Sequence, residues 1–182
     1  MMRTRRNRQR RPGGVRPEIV KRIVVFGILI LLLCTAMSSF FAQLLWLPAT
    51  PDLMLGAVLA VALLDDRRSA AIVAVAGGIT VDALGGIGAS LSPLLYLCVV
   101  VTVGFLGEKM LPSFVSWLIL LLPSLVLRAM FTLFGYWAFL GEVRMQGVFS
   151  AVLLPEAIST LLFCLPIYGI VKLALLPIKD RR

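Results

Sequence analysis

"PDLMLGAVLAVALLDDRRSAAIVAVAGGITVDALGG", residues 51–86, holds two apolar runs joined by the charged turn Asp65–Arg68. Asp52–Leu64 and Ser69–Leu84 are both shorter than the roughly 20 apolar residues that a lipid-spanning helix needs. The second run then enters a glycine-rich stretch, 77–93, in which one carboxylate, Asp82, stands among residues that weaken helices. Short segments broken by Gly and Pro are pointers to membrane binding sites. The rest of the chain bears on that reading.

Of the 182 residues, 60% are hydrophobic and 15% charged, with a mean hydropathy of +0.99. Such values lie outside the range of soluble domains and predict a membrane protein. The net charge of +9 is unevenly placed. Arg3, Arg5, Arg6, Arg8, Arg10 and Arg11 lead a basic tail, and Lys179, Arg181 and Arg182 close the sequence. Basic clusters beside apolar runs mark a cytoplasmic end lying on anionic lipid. A nucleic-acid role would need an ordered reader module, which the tail does not supply. Ile23–Leu47 exceeds a signal-peptide core and is read as a retained first helix.

Six apolar segments follow from this pattern: Ile23–Leu47, Asp52–Leu64, Ser69–Leu84, Pro93–Leu106, Ser113–Leu140 and Val148–Leu176. The predicted fold is an all-α integral membrane protein, a six-helix transmembrane bundle. Residues 1–20 are expected to form a disordered basic cytoplasmic tail, 21–178 the transmembrane domain and 179–182 a basic cytoplasmic end. With both termini inside, Arg67, Arg68 and Lys109 are cytoplasmic and only Arg144 lies outside, a strong positive-inside bias. Trp46, Tyr136 and Trp137 fall near the outer ends, where amphipathic rings favour the interface.

Ala70, Ala74, Gly78 and Asp82 recur every four residues and so share one helix face. Small residues at that spacing fit a close helix–helix seam, although alanine and glycine are also common in membrane helices. Counting 1.5 Å per residue, Asp82 lies about 20 Å and Arg128 about 22 Å from the inner face. Glu156 descends about 12 Å from the outer one. Three charges from three helices therefore meet one level. An unpaired charge in hydrocarbon costs at least about 2.5–3.5 kcal/mol, so an Asp82–Arg128–Glu156 cluster is expected. The alternative is that each charge snorkels to the outer headgroups.

Catalysis has little to stand on. The chain has no histidine, and nucleophilic catalysis needs a positioned base. Cys34, Cys98 and Cys164 are isolated and lack metal spacing. The glycines are not followed by the Lys-Ser/Thr of a phosphate loop. No cofactor and no metal are expected, and the protein is read as a non-enzyme.

In length and in the order of these motifs the chain resembles the rod-shape-determining MreD family. The carriers are Pro51 and Asp52 opening the second segment, then Gly78, Asp82, Gly85 and Gly88. The resemblance covers Pro51–Phe105 best, and the long arginine-rich tail departs from it. It implies an architecture similar to the substrate-binding subunits of energy-coupling-factor transporters. It further implies a non-enzymatic membrane scaffold in the bacterial cell membrane, supporting cell shape and lateral peptidoglycan synthesis. The implied partners are MreC and, through it, MreB, RodA and a class B penicillin-binding transpeptidase. The competing expectation is a small-molecule-binding subunit of a vitamin transporter. Its outer polar residues would be Asp52, Ser90, Ser92, Glu142 and Arg144.

Overall fold

The computed structural model describes residues 17–41, 50–85, 91–107, 113–140 and 149–179. Regular structure among the described residues is helical throughout. The chain runs from α1 (Pro17–Thr35), extended by a π-helical turn over Ala36–Phe41, to α2 (Leu53–Leu64) and α3 (Arg67–Gly85). It continues through α4 (Ser92–Leu106) and α5 (Phe114–Leu140). A second π-helical turn, Phe149–Leu153, then leads into α6 (Leu154–Lys179).

Among the described residues, three stretches are long and apolar enough to cross a membrane: Lys21–Ser39, Phe114–Gly135 and Leu154–Leu175. The protein is thus an all-α, multi-helix chain consistent with a multi-pass membrane protein. α2 and α4, with 12 and 15 residues, are about 18 and 22 Å long, shorter than a hydrocarbon layer of about 30 Å.

Packing explains the short α2. Every residue from Leu53 to Val61 is buried, and α2 touches each of the other five helices. A helix that is apolar on all sides belongs in a core, and here it is the axis of the bundle. The longer helices around it turn large apolar side chains outward, as at Leu31, Val126, Leu162 and Leu173. That is the pattern expected where lipid replaces water as the solvent.

The charged turn is tighter than expected. Arg67 and Arg68 already belong to α3, so only Asp65 and Asp66 connect the two helices. The Asp65 N–H closes α2 on the Val61 carbonyl at 2.9 Å, and the Asp66 carbonyl accepts the Ala70 N–H at 3.1 Å. Arg22 of α1 reaches this turn, with Nη1 3.2 Å from Asp65 Oδ2 and 3.7 Å from Asp66 Oδ2. Arg67 Nη2 donates to the Gly104 carbonyl of α4 at 2.7 Å. Partly exposed pairs of this kind contribute about 1 kcal/mol or less each. Their value is in fixing which helix ends meet.

One domain boundary shifts. α1 begins at Pro17, inside the segment 1–20 read as disordered tail. Proline suits a first helical turn because the N–H it lacks would have no intrahelical partner there. At the other end Lys179 is still helical, and 180–182 lie outside the described residues.

Candidate functional site

Asp52 sits at the N-terminus of α2, completely buried. Its Oδ1 accepts the Leu55 N–H at 3.0 Å, which caps the helix and satisfies one of its orphan amides. Pro51, also buried, precedes it. The rest of Asp52 is tied to other helices. Tyr96 of α4 donates its hydroxyl to Oδ1 and Oδ2, at 2.9 and 3.0 Å. The Asp52 N–H donates to Thr160 Oγ1 of α6 at 2.9 Å, and its carbonyl accepts from Cys164 Sγ at 3.4 Å.

Arg128 of α5 completes the node. Its Nη1 donates to Asp52 Oδ2, while Nε donates to Glu156 Oε1 of α6 at 2.7 Å. One guanidinium therefore lies between two carboxylates, leaving a formal charge of −1. Four helices, α2, α4, α5 and α6, are joined through a single aspartate. A buried charge is tolerable only when it is paired and hydrogen-bonded, and Asp52 meets that condition at both oxygens.

One helical turn below the cap, Gly56 lets α6 and α5 close on α2. A methyl group there would fall 2.6 Å from Cys164 Sγ and 3.1 Å from its Cβ. The freed space also lets Trp117 Nε1 donate to the Gly56 carbonyl at 3.2 Å, so this buried indole is satisfied.

The expected cluster is corrected in one member. Arg128 and Glu156 meet, but the second carboxylate is Asp52, not Asp82. Depth alone had grouped the three charges. α3 packs mainly on α4, α2 and α1, whereas Arg128 and Glu156 stand on α5 and α6. Asp82 is half-buried near the end of α3, and its Oδ1 has no hydrogen-bond partner among the described residues.

Ala70 and Ala74 are fully buried, and a methyl group on Gly78 would lie 2.5 Å from both Cα and N of Pro93. At Gly78, α3 thus presses on the first turn of α4. Gly77, its neighbour, abuts the end of the Met54 side chain on α2. Gly85 closes α3. Gly88 and the tail arginines Arg3, Arg5, Arg6, Arg8, Arg10 and Arg11 lie outside the described residues, as do Ser90, Glu142 and Arg144.

Sequence reasoning missed Tyr96, Thr160, Trp117 and Cys164 as members of this centre. Asp52 was legible in part: an Asp directly before an apolar run is an N-cap signal. Among the described residues, no group of three or more His, Cys, Asp or Glu could hold a metal ion. No protein-family model matches the chain, and comparison with curated proteins and with solved structures likewise finds no match.

Proposed function

We propose that the protein is a non-enzymatic membrane scaffold subunit of the bacterial cell-elongation complex, of the kind the MreD resemblance implies. In this reading all six helices lie in the cell membrane as one bundle, similar to the substrate-binding subunits of energy-coupling-factor transporters. Both termini are cytoplasmic. MreC is the direct partner, and MreB, RodA and a class B penicillin-binding transpeptidase belong to the same assembly.

One observation supports the reading above the rest. Two of the motif residues that carry the resemblance, Asp52 and Gly78, hold helices of the bundle together. Asp52 caps the central helix and gathers four helices, and Gly78 forms a seam where α3 meets α4 without room for a side chain. A resemblance confined to exposed turns would weigh less, because short surface motifs recur by chance.

The experiment is affinity purification of the tagged protein from its native membrane in mild detergent, with co-purifying proteins identified by mass spectrometry. Recovery of an MreC-like protein with RodA and a penicillin-binding transpeptidase is expected. Recovery of a pair of ATPases with a coupling subunit, and no wall-synthesis proteins, would replace this reading with the vitamin-transporter one.

Orientation has its own test. In a chain cleared of native cysteines, Thr50→Cys is expected to react with a membrane-impermeant thiol reagent on intact cells. Arg68→Cys is expected to react only after the cells are opened. The reverse pattern would invert the bundle.

A further inference from the structure

α6 turns one side to α2 and the other away from the bundle. Thr160, Cys164 and Val171 line the inner side and are fully buried. Opposite them Leu162, Pro166, Gly169 and Leu173 are all exposed. Their spacings of four, three and four residues keep them on one helix face. A stripe of this kind ordinarily meets lipid, for which leucine alone would serve. Its middle holds instead the two residue types that weaken a helix interior most.

Neither is explained from within the chain. A Cβ on Gly169 would meet nothing within 4 Å, so no neighbouring helix requires a glycine there. Pro166 has no N–H for the Leu162 carbonyl one turn before it, and Leu162 is 59% exposed. Together the two residues bare backbone about halfway along the membrane-length stretch Leu154–Leu175. Bared backbone lets a second helix approach closely, which is how helices associate where lipid removes the hydrophobic drive. A backbone carbonyl in hydrocarbon also calls for a donor.

We propose that this face of α6 is the docking surface for one transmembrane helix of a different protein. That helix carries a Ser, Thr, Asn or Gln opposite Pro166 and an Asp or Glu opposite Lys172. Charge and hydrogen bonding together exclude a second copy of this chain. Lys172, at the edge of the face, is exposed and has no ion-pair partner among the described residues. A twofold axis along the membrane normal would bring Lys172 to the level of the second copy's Lys172. It would also offer only apolar side chains to the Leu162 carbonyl. An acidic side chain on the partner removes the first conflict, and a hydroxyl or amide removes the second. The inference rests on the scaffold reading for the existence of a membrane partner, and it names the surface that partner uses.

Photo-cross-linking of the tagged protein in its native membrane tests the surface. A benzophenone amino acid replaces Leu162 or, as the control, Val126 of α5, which is 62% exposed. Adducts are identified by mass spectrometry. Leu162 is expected to capture one protein roughly tenfold more than Val126 does, through a transmembrane helix with an acidic residue at the end that meets Lys172. Gly169→Leu fills the approach and should lower that adduct roughly tenfold. The melting temperature should hold, because nothing in this chain surrounds the added atoms. Lys172→Gln should lower the adduct by a smaller factor. Adducts with lipid alone or with a second copy would overturn the assignment, as would a protein adduct unchanged in Gly169→Leu. No adduct at Leu162, with an MreC-like protein still co-purifying, would overturn this surface and leave the scaffold reading standing. A Gly169-dependent adduct of the stated chemistry with a protein foreign to wall synthesis would support the surface and count against that reading. Leu173, 67% exposed, takes the label should the Leu162 variant fail to accumulate.

Discussion

Asp52→Ala is expected to remove most of the folded protein recoverable from membranes. Three losses coincide at this position. The N-terminus of α2 loses its cap, worth about 1 kcal/mol. The buried Tyr96 hydroxyl loses its acceptor, and the Arg128 guanidinium keeps only Glu156. Breaking a buried ion pair from one side costs about 3–5 kcal/mol, because the partner is left charged and dry. That is a large share of a typical folding free energy of about 5–15 kcal/mol. Asp52→Asn keeps an oxygen for the Leu55 N–H and for Tyr96 but no charge for Arg128, so its loss should be intermediate. Arg128→Lys should be milder than Arg128→Ala, since it keeps a cation between the carboxylates. Fluorescence-detected size-exclusion chromatography of membrane extracts measures all four variants.

The second large effect is expected at Gly78. A Cβ at this position falls 2.5 Å from both Cα and N of Pro93, closer than atoms of this kind approach in real structures. Pro93 lies in the first turn of α4, so its backbone cannot yield without moving the helix. Gly78→Ala should cost about 1–3 kcal/mol by overpacking, and Gly78→Val more. The paired controls are Gly135→Ala and Gly169→Ala, where an added methyl meets nothing within 4 Å. Gly77→Ala should fall between, because the atom it meets is the far end of Met54, a flexible side chain. Melting temperatures in one detergent rank the series. Equal temperatures for Gly78→Ala and Gly135→Ala would mean that α3 and α4 form no close seam at this position.

These two positions also show what a linear sequence conveys. Helix positions were readable, because apolar runs, prolines and charged turns punctuate the chain wherever lipid-compatible segments stop. Each expected segment overlaps a helix, most closely from α2 at Leu53–Leu64 to α5 at Phe114–Leu140. The close approach at Gly78 was readable too, as one member of a spacing of small residues.

What the sequence did not convey was azimuth. Counting residues estimates the depth of a charge, and by that count Asp82, Arg128 and Glu156 fall at one level. Which side of its helix each charge faces, and which helix stands opposite, depends on packing that no local pattern encodes. The same counting applied to the second segment would have brought Asp52 to that level: 13 residues separate it from Asp65, about 20 Å along a helix. Tyr96 and Thr160 carried no warning, because a lone hydroxyl in an apolar run is ordinary until an aspartate is found beside it. The apolar uniformity of α2 carried one that is visible only in retrospect. A helix too short to span and apolar on every face is better placed among helices than against lipid.

Whether the bundle is organised around the Asp52–Arg128 contact is tested most directly by a double-mutant cycle. Asp52→Asn, Arg128→Gln and the double variant are compared with the wild-type protein by unfolding midpoint in a single detergent. A buried, shared contact predicts that the double variant loses about 1–3 kcal/mol less than the two single losses combined. Losses that add to within about 0.5 kcal/mol would show two independent sites, and would contradict a bundle organised around Asp52.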